Sequence, residues 1–508
     1  MRIERTKNTF RSTIFGILNR LINLLIPFII RTIIIKVLGS EYLGLNSLFT
    51  SILQVLSLSE LGFSSAMVFS MYKAVSDDDK DKLGALLYLF KRIYFIVGSA
   101  IAVLGLVIIP LLPVIVDIKQ LDGTGINLYF LYIIYLINTV VSYQFFAYKK
   151  SILQAYQRND VISNINSIVH IILYISQIIM LVCFKNYYLY AICMPIFTIA
   201  DNIVTAVFSK KLFPDIISCG SVDKQEVKSI MQLVKALCGH KIGAVIISSA
   251  DSIVISAFLN LRILTIYSNY YYVITALIGF INIGYNAILA GVGNSIITET
   301  KEHNKKIFDE LTIMIAWIVG FCTVCLLCLY QPFMELWMGS EYLFDMSTVC
   351  LLVIYFYTWQ IRVIGLNFKD AAGMWKADFF KPYVGIVFNI VVNILLVINI
   401  GINGVLISTI IVMVAIYFPW ETRVLYNKLF QTSAVYYYLR QLYFMITTGL
   451  ACFVTYLICS KIPCEGFIAL AVRGIVCIIV ANGIYLIFYS RIKEFSELKA
   501  RIIRVVKR

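Results

Sequence analysis

The sequence predicts an all-α membrane protein that crosses the bilayer many times, and three observations predict it. Residues of the set Ala, Val, Ile, Leu, Met, Phe, Trp, Tyr and Cys fill 60% of the 508 positions, charged residues only 14%, and the mean hydropathy is +0.86. Soluble domains run at roughly 45–50% apolar and about 25% charged, so a soluble core could not absorb this much apolar surface. Apolar runs of spanning length recur from end to end, and basic residues collect in alternate connections between them. Disordered, disulfide-rich secreted and soluble nucleic-acid-binding classes are excluded.

A spanning helix needs about 20 mostly apolar residues, and that ruler yields about fourteen spans. The first six cover residues 12–35, 43–72, 93–116, 127–148, 161–184 and 187–209. The first of these is longer than the apolar core of a signal peptide and no small-residue cleavage site follows it, so no cleavable leader is expected. Six more cover 243–259, 263–288, 308–329, 346–366, 382–400 and 401–420, and a last pair at 442–459 and 467–489 precedes a basic tail. The longest inner connection, about 210–241, splits the chain near its middle. The expected domains are an N-terminal lobe of helices 1–6 (residues 1–232), a C-terminal lobe of helices 7–12 (233–430), and helices 13–14 with the tail (431–508). A short echo supports a repeat: Leu38-Gly39 to Asn46-Ser47 aligns with Leu259-Asn260 to Tyr267-Ser268, each joining the first two helices of its half. Paired halves are common among secondary transporters.

Orientation follows from the 43 Lys and Arg. With the N-terminus in the cytoplasm, the outer connections hold only Lys36, Lys119, Lys185, Arg262 and Lys461, and Arg20, Arg31, Arg362 and Arg473 lie inside apolar runs. All the rest fall inside, which places both termini in the cytoplasm. The net charge of +15 is therefore a topology signal and implies no nucleic-acid partner. Of the twelve cysteines, most lie in apolar runs; Cys322, Cys325 and Cys328 resemble a ligand row but have no His or carboxylate among them, so they are read as small apolar helix residues. No metal or cofactor is expected.

Ionisable groups at membrane depth are costly and usually face a bundle interior or wet cavity. Arg20, Asn23, Pro27 and Arg31 share one face of the first span, within about 80° of arc, with the two arginines about 16 Å apart along the axis. Asn46, Thr50, Ser57, Glu60 and Ser64 form a similar stripe on the second span. Asp201 accompanies Thr198, Asn202 and Thr205 on the sixth, and Asp251 accompanies Ser248 and Ser252 on the seventh. Arg362 sits near the inner end of the tenth, where it either snorkels or lines the cavity. The candidate substrate-binding residues are Arg20, Asn23, Arg31, Asn46, Thr50, Glu60, Asp251 and Arg362; Glu60, Asp201 and Asp251 are candidates for ion coupling. Such a basic cavity suits an anionic substrate such as a phosphate ester. There is no G-x-x-x-x-G-K-[ST] and no H-E-x-x-H, so neither ATP-driven pumping nor zinc hydrolysis has a motif.

The stretch Arg31-Thr-Ile-Ile-Ile-Lys-Val-Leu-Gly-Ser-Glu-Tyr-Leu-Gly-Leu-Asn46, followed by Ser59-Glu60-Leu61-Gly62-Phe63, resembles the opening of bacterial polysaccharide transporters, the Wzx-like flippases of the multidrug/oligosaccharidyl-lipid/polysaccharide exporter (MOP) superfamily. Gly293-Asn294 before Lys301-Glu302, then Leu336-Trp337-Met338-Gly339, are similar to that family's second half. So is Ala372-Gly373-Met374-Trp375-Lys376-Ala377-Asp378 with Pro382, Asn389 and Asn393. The resemblance implies a MATE-like bundle without enzymatic activity, alternating between inward- and outward-facing states in the bacterial cytoplasmic membrane. Its substrate would be an undecaprenyl-diphosphate-linked oligosaccharide destined for capsule- or O-antigen-like polymers, with a polysaccharide polymerase and other assembly proteins as partners. The family's cationic cavity corresponds by residue type to Arg20 and Arg31. Other readings are a cation-coupled drug antiporter, a peptidoglycan-precursor flippase and a non-transporting envelope scaffold. The antiporter would want acidic cavity residues, whereas basic ones lead here.

Overall fold

The structure, a computed structural model, describes residues 5–57, 63–463, 466–497 and 499. Among the described residues it is helical throughout, with no strand. Among the described residues ten helices are long and apolar enough to cross a membrane, or eleven if the bent pair Leu128–Tyr143 and Ala147–Ala155 is one span. The other expected spans fall on three further elements: a 33-residue helix at Arg5–Val37, the pair Ser40–Leu56 and Phe63–Ser76, and the long helix Lys224–Phe258. The chain divides into two compact units, Met1–Thr265 and Ile266–Arg508.

In the first unit α1 (Arg5–Val37) lies along α8 (Asn159–Val182), which in turn packs on α9 (Tyr187–Leu212). Between them in sequence come α2 (Ser40–Leu56), α3 (Phe63–Ser76), α4 (Lys80–Ile108), the single turn α5 (Leu112–Ile115), α6 (Leu128–Tyr143) and α7 (Lys150–Ala155). Their starts are set by local chemistry. Asp79, Asn127 and Asn186 each cap a following helix by accepting backbone N–H bonds, from Lys82, from Phe130, and from Tyr188 and Leu189. A core of Met67, Met71, Leu83, Leu87, Phe90 and Leu153 ties α3, α4 and α7 together at one end of the bundle. The helix α10 (Lys224–Phe258) completes this unit. It packs against α2, α3 and α5, and its Ser256 hydroxyl donates to the Ile115 carbonyl at 3.0 Å. The first compact unit runs through α10 to Thr265.

The division falls near the start of α11 (Leu261–Thr298). The second unit continues with α12 (Lys301–Met338), α13 (Met346–Ile361), α14 (Val363–Ala371), α15 (Lys381–Ile400) and α16 (Ile402–Ile411). After α16 the helix passes through two π-helical stretches, Val412–Tyr417 and Leu425–Phe430, on either side of α17 (Phe418–Val424). Such π-turns are rare and concentrate where a helix is bent to place side chains. The final pair, α18 (Val435–Ser460) and α19 (Gly466–Tyr489), packs on α12. Trp317 donates to Asn482 at 2.7 Å, and the buried Arg440 pairs with Asp309 at 3.1 Å. Where the three helices meet, the sulfurs of Cys328, Cys459 and Cys477 lie within 4.8 Å of one another, all buried.

Candidate functional site

The polar residues of the first unit assemble around α8. Asn19 of α1 donates to the Ser167 hydroxyl at 3.1 Å, and Asn23 donates back to Asn19. The side-chain oxygen of Asn23 then accepts from Tyr174 at 2.9 Å and from His170 Nδ1 at 2.7 Å. Because the Asn23 amide nitrogen is already donating to Asn19, its oxygen must be the acceptor. The proton of a neutral His170 is thereby fixed on Nδ1, leaving Nε2 as the second, basic nitrogen.

His170 also borders a polar cavity of about 400 Å³. Its lining includes Ser64 of α3, Lys150 of α7, Asn166 of α8, and Thr198, Asp201 and Asn202 of α9. The Asp201 carboxylate shares this chamber with the Lys150 ammonium and the His170 ring. Asn166, with its amide oriented to satisfy both neighbours, donates to Asp201 at 2.9 Å and to the Ile162 carbonyl at 3.1 Å. Thr198 donates to Asn138 of α6 at 2.8 Å. Of the sixth-span stripe, Thr198, Asp201 and Asn202 line this chamber, with Ser64 from the second-span stripe, while Thr205 is buried and does not border it. His170 and Lys150 are members of the chamber that no sequence pattern marks. One polar residue at helical spacing on the fifth span, and a lysine at the end of the fourth, give little signal alone.

The two arginines of α1 have different surroundings. Arg20 is exposed, and among the described residues no carboxylate pairs with it. Arg31 is half-buried, and its charge acts on the hydroxyls of Tyr187 and Tyr190, whose rings stack at 5.1 Å. The same aromatic group takes up Asn46, which accepts from Tyr135 at 2.9 Å; Tyr135 and Tyr187 meet hydroxyl to hydroxyl at 2.9 Å. Thr50 is exposed on α2. Asp251 is buried at 2% exposure on α10 and does not border the polar cavity. Glu60 lies outside the described residues.

In the second unit Arg362 belongs to a buried charge cluster. Its guanidinium donates to Glu421 at 2.7 Å and lies over the rings of Trp359 and Tyr417, 5.1 and 5.2 Å from their centres. Lys381 also donates to Glu421 at 2.7 Å and pairs with Asp378 at 3.0 Å, while Lys369 reaches Asp378 at 2.6 Å. Lys369 and Asp378 are wholly buried. Asp378 stands in the connection between α14 and α15. Burial would raise its carboxyl, but the ammonium groups of Lys381 and Lys369 outweigh that and hold it below the ordinary carboxylate value.

Residues 9–289, more than half of the chain, match the profile of a family described as polysaccharide biosynthesis protein. Among solved structures, the chain is similar to the lipid II flippase MurJ in an inward closed conformation, with a TM-score of 0.64 and 17% identity over 94% of this chain and 98% of that one. It is similar also to an inward-facing multidrug resistance MATE family transporter of the MOP superfamily, with a TM-score of 0.63 and 14% identity over 82% of this chain and 96% of that one. A MATE protein in complex with MaD3S gives a TM-score of 0.52 at 16% identity, over 84% and 97% of the two chains. No curated protein sequence matches. At these identities the likenesses establish the fold, which is that of the MurJ and MATE exporters.

Proposed function

The chain belongs to the polysaccharide biosynthesis protein family, and on that premise we propose that it is a flippase for undecaprenyl-diphosphate-linked oligosaccharides. It moves the glycan headgroup from the cytoplasmic to the outer leaflet of the cytoplasmic membrane by alternating access, with both termini in the cytoplasm, and it supplies a polysaccharide polymerase. The observation that supports this best is Arg20: an exposed guanidinium at the middle of a long apolar helix, without a carboxylate partner among the described residues. A charge at that depth needs an anion or water, and a guanidinium fork matches a phosphate bidentately. A drug antiporter, which binds organic cations, would have no use for it.

The driving force in this reading is an ion gradient. Asp201 takes up a cation in one state, and the change reaches α1 through His170 and Asn23. A cation shifts the equilibrium only if it binds the two states with different affinity. A peptidoglycan-precursor flippase is the second reading, favoured by the likeness to MurJ over 94% of the chain. The test is Arg20→Ala in cells and in proteoliposomes loaded with each lipid. Flipping of the oligosaccharide lipid should fall at least tenfold at unchanged protein level, and Arg20→Lys should recover it only in part, because lysine lacks the planar fork. Wild-type surface polymer from the Ala variant would reject the role of Arg20. Flipping of the peptidoglycan precursor alone would favour the second reading, and flipping of neither by the wild type would favour a scaffold.

A further inference from the structure

The fourth span is broken, and the break has an unusual backbone. Helix α6 ends at Tyr143, and the helical stretch from Ala147 resumes at an angle of 42°. Between them Phe145 (φ 45°) and Phe146 (φ 70°) both adopt the left-handed conformation, which a residue with a side chain rarely takes. Neighbouring elements hold the break in place. The Asn202 amide of α9 donates to the carbonyls of Val141 and Gln144 at 3.2 and 3.4 Å, and the Ser209 hydroxyl donates to that of Lys149 at 3.4 Å. On the other side α4 has Gly98, where any Cβ would stand 3.2 Å from the side chains of Tyr143 and Gln144. The effect is to present both phenylalanines outward, each about half exposed.

They help to line a groove of about 530 Å³ with Gln144 and, from α4, Lys91, Arg92 and Phe95. Lys91 and Arg92 directly precede the apolar run that begins at Ile93, which is the level of the inner headgroups in the topology given above. Both are exposed, and among the described residues no carboxylate pairs with either. Nearer the start of the same helix the pattern is different: Lys80 pairs with Asp215 at 2.7 Å and Lys82 with Glu226 at 3.0 Å. The basic charge at the groove is reinforced by Lys149, which is repelled by both Lys91 and Lys210. Such an excess calls for an anion from outside the chain. The exposed rings of Phe95, Phe145 and Phe146 offer an apolar surface beside it.

We infer that this groove docks the diphosphate of a polyprenyl-linked lipid arriving in the cytoplasmic leaflet, with Lys91 and Arg92 on the phosphates and the first isoprene units against Phe95, Phe145 and Phe146. The inference rests on the flippase reading and adds to it a docking place outside the α1 stripe. Two adjacent cations suit a diphosphate, whereas a phosphodiester would satisfy only one of them.

The test is equilibrium binding of farnesyl diphosphate to the full chain in phosphatidylcholine nanodiscs, with inorganic diphosphate and phosphatidylglycerol as competitors. Lys91→Gln with Arg92→Gln should bind at least tenfold more weakly. The control Lys224→Gln with Lys228→Gln, on the exposed first turns of α10, should bind as the wild type does. Neither competitor should displace the probe at matched concentration. Unchanged binding by the double Gln variant would overturn the groove and leave the flippase reading standing. Equal competition by phosphatidylglycerol would make this a general anionic-lipid surface and overturn the assignment. Failure of the wild type to bind farnesyl diphosphate would count against both.

Discussion

His170 Nδ1 and the side-chain oxygen of Asn23 are 2.7 Å apart, and this contact joins α1 to the wall of the polar cavity that contains Asp201. Asn23→Leu would remove the acceptor of two donors at once, the imidazole N–H and the Tyr174 hydroxyl. Both groups are half-buried, so the loss is a fraction of the about 1–3 kcal/mol that an unsatisfied buried group costs, and the variant should unfold in detergent at a lower temperature. Tyr174→Phe, which removes one donor together with its bond, should cost less. A wild-type transition for Asn23→Leu would show that the network contributes nothing to docking α1.

Asp201→Asn keeps the shape of the cavity and removes its charge. Transport in vesicles should lose its response to an imposed ion gradient while the protein level is maintained. Asp251 supplies the comparison, being buried on α10 away from that cavity. Gradient-driven turnover that survives in Asp201→Asn and disappears in Asp251→Asn would move the coupling role to Asp251.

The cluster around Glu421 gives a prediction about stability. Glu421→Gln would leave Arg362 and Lys381 without their shared carboxylate, and breaking a buried pair costs about 3–5 kcal/mol. Adding Arg362→Met to that variant should recover part of the loss by removing the charge left without a carboxylate, since Lys381 keeps Asp378 at 3.0 Å. The pH dependence follows from Asp378, whose folded pKa is depressed by Lys381 and Lys369. Its contribution is fully present above the ordinary value of 3.8 and is lost as pH falls through the lower folded value. Thermal unfolding of Asp378→Asn should therefore lie below the wild type at pH 7 and approach it only in strong acid. Equal transitions at neutral pH would reject the pairing.

Hydropathy made the spans legible because the bilayer imposes one length and one polarity on every crossing. It also exposed Arg362 as a charge in an apolar run. It could not show that Arg362 meets Glu421, because the partners are 59 positions apart and brought together only by packing. Asp378 and Lys381 stand at (i, i+3), a spacing visible in sequence, yet that spacing is as common on exposed surfaces as in buried networks. The left-handed Phe145 and Phe146 have no sequence signature at all. Glycine or asparagine would have announced such a conformation, whereas here the break is flanked by carbonyls that Asn202 and Ser209, distant in sequence, bond from α9.

The repeat signal between residues 38–47 and 259–268 leads to a prediction about gating. Within the first unit those stretches touch: the Thr265 hydroxyl donates to the Ser40 carbonyl at 2.6 Å, and a Cβ on Gly44 would lie 2.5 Å from the Leu261 carbonyl oxygen. The register therefore sets Ser40 against Thr265 and Gly44 against Leu261. If alternating access requires the two connections to part, a disulfide between them should hold one state. In a chain freed of its native cysteines, Ser40→Cys with Thr265→Cys should crosslink, since a disulfide needs Cα atoms within about 7 Å. Transport should stop on oxidation and return with reductant, and each single variant should be insensitive to both. Gly44→Val, pressed against backbone that cannot move aside as a side chain would, should impair transport without any oxidant. Efficient crosslinking with undiminished transport would show that these connections stay together throughout the cycle, and the gate would then have to lie elsewhere.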